Sequence, residues 1–562
     1  MRRDRREKNK KKKILIFISI LITVIIISLF AFFNVTMKDP NIGKIQIVIN
    51  NNNITAKLKN AAYINEKNVV YMSVPDIKVF LDNYIYNDQV NEQIITTYGE
   101  KIGVLSLKEN KININDANVE LTSGVEQKNG QFFIPISLMS NIYNMEMSFI
   151  KDKKVLVMDS LDRELIKMDA AKNLKVRSKS TAFSRIVDKV KKGEKVVLVE
   201  KKNGWSKIRT TSGKVGYVKT TCLQNEIYVR YKLEKSSQIS GKVNMVWDYF
   251  SEYAKAPNRI GTKIEGVNVV SPTFFHLIKN GEGKLHANVG DNGNSYIKWA
   301  KQNNYKVWGM VSNNSYKDTT SKILNSYRLR TNLINNIIYA ATIYNLDGIN
   351  IDFENLKKED KDVFSRFIIE LKPKLKEAGI VLSIDTTALD GGDDWSECYD
   401  RNLIGNVADY LVFMAYDQYS SNSKKAGTTA GYNWIETNIK KLIDREEVEA
   451  DKIILGIPFY TRLWQEKNGK ISSKTVDMKD IKNVLPRNIQ KVWDEDLKQN
   501  FVEYTKNNTI YKMWIEDEES IKAKIELVRQ YNLAGTAAWE KDRETASVWK
   551  VISEGLKNQK IF

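Results

Sequence analysis

Cysteine and histidine are nearly missing from this chain of 562 residues. The two cysteines, Cys222 and Cys398, stand 176 positions apart and offer neither a disulfide framework nor metal-ligand spacing. The two histidines, His276 and His286, speak against a Ser-His-Asp triad or a histidine-rich metal site. Neither lies near a Glu-x-x-His pattern, and packing or a solvated loop is their simpler role. No basic helix with interleaved aromatics occurs, so the net charge of +20 does not point to nucleic acid. What the chain does hold is 42% hydrophobic and 10% aromatic residues, enough for large folded cores rather than disorder. Its length calls for three or four domains.

Part of the charge is local. Residues 1–13 carry nine Arg or Lys against Asp4 and Glu7, a net +7. The remaining +13, spread over the outer domains, suits a polyanionic surface such as an anionic cell wall. Residues 14–33 follow without a single charge, a run of 20 that is long enough to span a bilayer. The basic cluster before it belongs in the cytoplasm, which places the bulk of the chain outside the cell membrane. The expectation is therefore a cytoplasmic tail (1–13) and a transmembrane signal anchor (14–33). A cleaved signal peptide is the alternative. Against it, the apolar run is longer than a typical signal core, and Phe32-Phe33-Asn34-Val35-Thr36 holds no small-x-small cleavage site. The paucity of cysteine also suits a Gram-positive-like exterior.

Residues 44–160 read as short strands with turns and one or two helices. Val70-Tyr71-Met72-Ser73-Val74-Pro75 leads into a helical stretch at 76–82, and Gln131-Phe132-Phe133-Ile134-Pro135-Ile136 repeats that plan before 137–143. The segment resembles the stalk domain named after the N-terminal domain of copper amine oxidase, which implies a spacer or wall-associated module. Copper is not implied, because the segment has no His and no Cys. Residues 168–223 have regularly spaced short strands with glycine turns, as a small barrel needs. Asn173-Leu174-Lys175-Val176-Arg177-Ser178, Gly204-Trp205-Ser206-Lys207-Ile208-Arg209 and Gly213-Lys214-Val215-Gly216-Tyr217-Val218 resemble a bacterial SH3-type domain. In that family the role is often binding of wall peptides or sugars; a structural spacer is the alternative.

From residue 241 strands alternate with helical segments, the mark of βα units. Eight strands are expected, at 243–249, 266–274, 306–313, 347–354, 381–387, 410–417, 452–460 and 535–540. Helical stretches lie at 321–344, 358–378 and 434–445. Eight such units over 241–555 fit a (β/α)8 barrel, a TIM barrel, with insertions. The longest interval, 461–533, exceeds a simple loop and reads as an inserted α+β lobe walling one side of a cleft. The fourth strand, Leu346-Asp347-Gly348-Ile349-Asn350-Ile351-Asp352-Phe353-Glu354, alternates with period two. Ile349, Ile351 and Phe353 point one way; Asn350, Asp352 and Glu354 point the other. In a closed parallel barrel that polar face lines the interior, with Glu354 at the C-terminal end where barrel active sites sit. Taken alone it could equally be an amphipathic edge strand with solvated acids.

Other strand ends decide between these. Phe413-Met414-Ala415-Tyr416-Asp417 ends the sixth, Pro458-Phe459-Tyr460 with Arg462 ends the seventh, and Ala538-Trp539-Glu540 ends the eighth. A pair of acids, an aromatic floor and hydroxyl donors are what cleavage of a glycosidic bond requires. Asp347-Gly348-Ile349-Asn350-Ile351-Asp352-Phe353-Glu354 resembles the Asp-Gly-x-Asp-x-Asp-x-Glu signature of glycoside hydrolase family 18. Met414-Ala415-Tyr416-Asp417, Gly456-Ile457-Pro458-Phe459-Tyr460 and Ala538-Trp539 are similar to the family's motifs at strands six, seven and eight. One position departs: Asn350 stands where chitinases usually have Asp. Asn-Ile-Asp-Phe-Glu is similar to the branch with spore-cortex and peptidoglycan N-acetylglucosaminidases.

The resemblance implies roles. Glu354 is expected as general acid and then base, its pKa raised by Asp352. Asp352 orients the substrate's 2-acetamido group, whose oxygen attacks C1, and Tyr416 hydrogen-bonds that oxygen. Trp539 floors the sugar, and Asn350 and Asp347 support the acid pair from deeper in the strand. Met414, Asp417, Tyr460 and Arg462 are expected contacts in the cleft. Configuration is retained, and neither metal nor organic cofactor is needed. The expected partners are an N-acetylglucosamine-containing glycan (peptidoglycan, or else chitin), wall polymers at the SH3-like domain, and the membrane at the N-terminal helix. A chitinase, an enzyme endo-acting on N-glycans, and a non-catalytic wall-binding protein are the competing readings.

Overall fold

The computed structural model describes residues 2–36, 43–230, 239–251 and 257–557. They fall into two compact units, Met1–Tyr98 with Ile102–Lys235, and Gly99–Lys101 with Ser236–Phe562.

The first unit begins with a helix, Arg2–Thr36. Among the described residues no helix is long and apolar enough to cross a membrane. The expected span, 14–33, is only partly covered: side chains from residue 29 onward lie outside the described residues. The described apolar side chains of the run, such as Leu15 and Phe17, are exposed. In the stalk region the two repeated segments pair with each other. Strand Val70–Ser73 runs antiparallel to Gln131–Pro135, Met72 opposite Ile134, and each leads into a short helix, Val74–Phe80 or Ser137–Ile142. Ser73 caps the first of these helices by accepting from the Asp76 N–H. The SH3-like region is a seven-stranded antiparallel sheet whose first and last strands in sequence, Leu165–Ala170 and Leu223–Arg230, pair with each other and extend beyond the expected limits. Its Arg209 forms a buried two-pronged ion pair with Asp159 of the stalk region, Nη1 to Oδ1 2.7 Å.

The second unit is a closed parallel barrel. Its strands are β1 (Val243–Asp248), β2 (Val269–Pro272), β3 (Lys306–Ser312), β4 (Gly348–Asp352), β5 (Val381–Thr386), β6 (Tyr410–Met414), β7 (Ile453–Pro458) and β8 (Gly535–Trp539). Each pairs in parallel with the next, and β8 returns to β1, so no edge is left open. The period-two alternation of β4 is realised as two cores. Ile349, Ile351 and Phe353 pack outward on helices, against Leu371 and other apolar side chains of the helix Lys361–Glu377. That helix forms because Phe364, Phe367, Ile368, Leu371 and Leu375 recur at helical spacing. Met245, Trp247, Trp308, Met310, Val412 and Ile454 fill the barrel interior.

Two local features differ from expectation, and the expected inserted lobe is present. The helix expected at 321–344 is two, Lys317–Leu324 and Tyr327–Ile343, because Ser326 caps the second by accepting from the Leu329 N–H. A short hairpin, Phe275–Leu277 with Leu285–Ala287, follows β2 and sets His276 opposite His286, rings 4.9 Å apart. Between β7 and β8 lies a five-stranded antiparallel sheet, from Tyr460–Lys467 to Thr509–Ile515. Its tight hairpins turn at Asn468-Gly469 and Asn507-Asn508, all four with positive φ, the conformation that Asn and Gly tolerate best. It has its own core of Leu463, Val476, Val502, Met513 and Ile515, followed by the helix Glu518–Gln530.

Beneath the outer helices, Glu370 accepts from Arg330 at 2.8 Å and pairs with Arg366 at 2.9 Å, all three side chains at most 4% exposed. Glu370→Ala leaves two guanidinium groups buried without their carboxylate and is expected to cost about 3 to 5 kcal/mol. Denaturant unfolding measures it; a loss below 1 kcal/mol contradicts the picture of a desolvated ion cluster.

Candidate active site

A cavity of about 570 Å³ opens at the C-terminal ends of the strands. Trp247 from β1, Met310 from β3, Asp352 from β4, Asp385 from β5, Met414 from β6 and Trp539 from β8 all reach it. Glu354, Tyr416, Asp417 and Tyr460 come from the residues just after β4, β6 and β7.

Asn350 lies below the cavity, fully buried, and uses its whole amide. Its Oδ1 accepts from Trp247 Nε1 at 2.9 Å and Ser271 Oγ at 3.3 Å. Its Nδ2 donates to Ser383 Oγ at 3.0 Å and Asp385 Oδ1 at 2.7 Å. Two residues on, Asp352 is 8% exposed. Two further, Glu354 has left the strand ladder and is held by its backbone. Asn313 donates to the Glu354 carbonyl at 2.8 Å and accepts from its N–H at 3.1 Å. Tyr399 donates to the preceding carbonyl, of Phe353, at 2.7 Å.

This packing loads the acids with protons. Burial and the nearby Asp417 charge push Glu354 up to about 7, while a hydrogen bond with Asp352 works the other way. Burial, Glu354 and Asp385 hold Asp352 well above the usual carboxylate range. Burial also holds Asp385 far up, with the Asn350 hydrogen bond opposing and the Glu354 charge adding. The expected cause of the Glu354 shift is thus corrected. The hydrogen bond with Asp352 favours the ionised form of Glu354; burial and Asp417 supply the rise.

The aromatic floor has two layers, with Trp539 edge-on to Trp247, ring centroids 5.6 Å apart. Tyr416 and Tyr460 meet edge-on at 6.3 Å. Burial raises the Tyr416 phenol well above its ordinary value, keeping it a neutral donor. Tyr460 donates to Asp417 Oδ1 at 2.8 Å, and Arg462 stands 3.5 Å from the same oxygen. Arg462 therefore acts on the cavity through Asp417 and does not line it. Asp347 sits at the opposite end of the barrel: it accepts from Val307 N–H at 3.0 Å and pairs with Lys306 at 3.0 Å. It fastens β3 to β4 and does not support the acid pair.

Sequence reasoning missed Asp385 and Trp247, and the residues Asp390, Trp395, Gln418, Tyr419 and Trp434 that stand beyond the strands on the cavity wall. Two of these join, Trp434 Nε1 donating to Asp390 at 2.5 Å. A signal for Asp385 was present in β5, where Ser383 and Asp385 alternate with apolar residues just as Asn350 and Asp352 do. Among the described residues no group of three or more His, Cys, Asp and Glu is arranged to hold a metal ion.

Residues 245–544 match glycosyl hydrolases family 18, more than half of the chain, and the chain belongs to that family. It is a glycoside hydrolase. Residues 172–224 match the bacterial SH3 domain and 45–158 the copper amine oxidase N-terminal domain. The uncharacterized glycosylase YvbX of Bacillus subtilis (strain 168) is 28% identical over 304 residues, covering 52% of this chain and 85% of YvbX. A cortical fragment-lytic enzyme of the same organism is 25% identical over 256 residues, 43% of this chain and 58% of that one. The chain thus spans most of one relative and little more than half of the other. The crystal structure of the Bacillus megaterium QM B1551 spore cortex-lytic enzyme SleL shares the fold, with a TM-score of 0.50 and 20% identity over 65% of this chain and 89% of that one.

The charge of Asp417 helps keep the proton on Glu354, so removing it has a readable sign. A general acid works only while protonated, and turnover is expected to fall as pH rises through about 7. Asp417→Asn is expected to move that alkaline limb of kcat/KM to lower pH. An unmoved limb contradicts the electrostatic assignment.

Proposed function

We propose that this enzyme hydrolyses β-1,4 glycosidic bonds next to N-acetylglucosamine in cell-wall peptidoglycan, with retention of configuration. The observation that carries the reading is that Asp352, the last residue of β4, and Glu354, two residues beyond it, line one cavity together with Trp539. Two acids issuing from the end of one strand approach the sugar from one side. The two-carboxylate mechanisms need groups flanking the bond, one of them placed to attack or to activate water. Here the nucleophile is the substrate's own 2-acetamido oxygen. Glu354, protonated near neutral pH, gives its proton to the leaving oxygen, and as a carboxylate then draws a proton from the incoming water. Asp352 faces the acetamido N–H as positive charge develops on the oxazolinium ion. The Tyr416 phenol steadies the acetamido oxygen, and Trp539 stacks under the ring.

Peptidoglycan is favoured over chitin by Asn350, by the SH3-like and stalk regions, and by a relative named for cortical fragments. Residues 14–33 serve in this reading as a signal anchor, with residues 1–13 in the cytoplasm and the barrel outside; the SH3-like domain holds wall polymers. The reading requires no metal or cofactor.

Mass spectrometry of muropeptides released from purified peptidoglycan by the full chain tests the substrate. New reducing ends are expected on N-acetylglucosamine; release of N-acetylmuramic acid ends alone contradicts the reading. Glu354→Gln is expected to lose at least about 10³-fold in turnover with its melting temperature kept. Activity within tenfold of the parent refutes its role as the acid.

A further inference from the structure

The inner face of β5 carries a carboxyl group that this mechanism leaves idle. Asp385 is 1% exposed and lines the cavity floor. The parallel register sets Asn350 beside Ser383 and Ile351 beside Ile384. One step further it sets Asp352 beside Asp385, on strands about 4.8 Å apart and both facing inward. Asn350 fixes one oxygen of Asp385, Oδ1, at 2.7 Å. The other, Oδ2, is buried without a hydrogen-bond partner, and so is Asp352 Oδ1. The groups facing Asp385 are Asn350, Asp352 and Glu354 from β4 and its extension, and Tyr416 beyond β6. Among the described residues lining the cavity there is no lysine, arginine or histidine to neutralise a second negative charge. Adjacent buried carboxyl groups in that setting resist double ionisation, and one proton held between them serves both.

We propose that Asp385 is a positioning residue that takes up the proton of Asp352 during hydrolysis. The inference rests on the acetamido reading above. As the acetamido oxygen bonds to C1 and the glycosidic C–O bond breaks, the acetamido nitrogen becomes cationic. The Asp352 proton moves to Asp385, leaving Asp352 as the carboxylate that accepts the N–H. When water opens the oxazolinium ion the proton returns. The pair holds one proton throughout, and no other reactant is consumed. The arrangement also gives the departure at Asn350 a meaning: the inner carboxyl has moved one strand over, and the amide holds it there.

The test uses the full chain acting on soluble peptidoglycan fragments, read as initial rates of reducing-end release. Asp385→Asn is expected to lower kcat about 10²-fold, with KM within a few-fold, an altered acidic limb and an unchanged melting temperature. Returning the carboxyl to β4 in the double variant Asn350→Asp/Asp385→Asn is expected to recover at least about tenfold of that loss. The inference is overturned if Asp385→Asn keeps the parent's rate and pH profile, or if the folded double variant is no faster than the single one. Glu354→Gln run alongside separates the two claims. If it is inactive while Asp385→Asn is fully active, only the role of Asp385 falls; if it is active, the assignment of Glu354 as the acid falls, and the acetamido reading with it.

Discussion

One buried carboxamide organises the barrel interior. Asn350 offers two donors and two lone pairs, and all are used, toward β1 and β2 on one side and β5 on the other. A carboxylate here could not donate to Asp385, and would add a further negative charge to a region already crowded with acids. Each such bond contributes only about 1 kcal/mol net, but leaving a buried partner unsatisfied costs about 1 to 3 kcal/mol. Asn350 therefore does more to specify the arrangement than to stabilise it. It keeps Trp247 upright under Trp539 and holds Asp385 beside Asp352.

The chemistry follows from where burial wins over hydrogen bonding. Glu354 sits at about 7 against an ordinary 4.5, a bias of roughly 3 kcal/mol toward the protonated form. The hydrogen bond with Asp352 opposes the shift, yet desolvation and Asp417 prevail. The same desolvation raises both Asp352 and Asp385, so that the adjacent pair keeps a proton between them. The backbone clamp from Asn313 and the Tyr399 bond to Phe353 fix where Glu354 emerges, so its proton is delivered from a defined point above the floor.

The barrel was legible because parallel strands buried on both faces announce themselves: all eight appear within a few residues of where alternating and apolar runs place them. Local polar chemistry was harder to read. The break at Ser326 depends on one side chain choosing a backbone N–H, while the histidine hairpin after β2 does carry a turn signal, Asn280-Gly281, but its strands are too short to show a period. In the site, Glu354, Asp352, Tyr416 and Trp539 converge because they share strand ends. Asp347 was misplaced because a motif counts residues and ignores which end of the strand they occupy; it lies past the N-terminal end of β4. Asp385 escaped notice because its partner is 35 positions away and only the pairing of β4 with β5 joins them. Trp395 and Trp434 lie in helical segments between strands, and nothing in their local pattern shows that those segments reach over the cavity.

The central claim is that the protein supplies the acid and the substrate supplies the nucleophile. The most direct measurement compares hydrolysis of two otherwise identical N-acetylglucosamine glycosides, one acetylated and one trifluoroacetylated at the 2-amino group. Fluorine withdraws electrons from the attacking oxygen while barely changing its size. The account predicts that kcat falls on the order of 10-fold or more with KM little changed. Equal kcat values for the two substrates would contradict it.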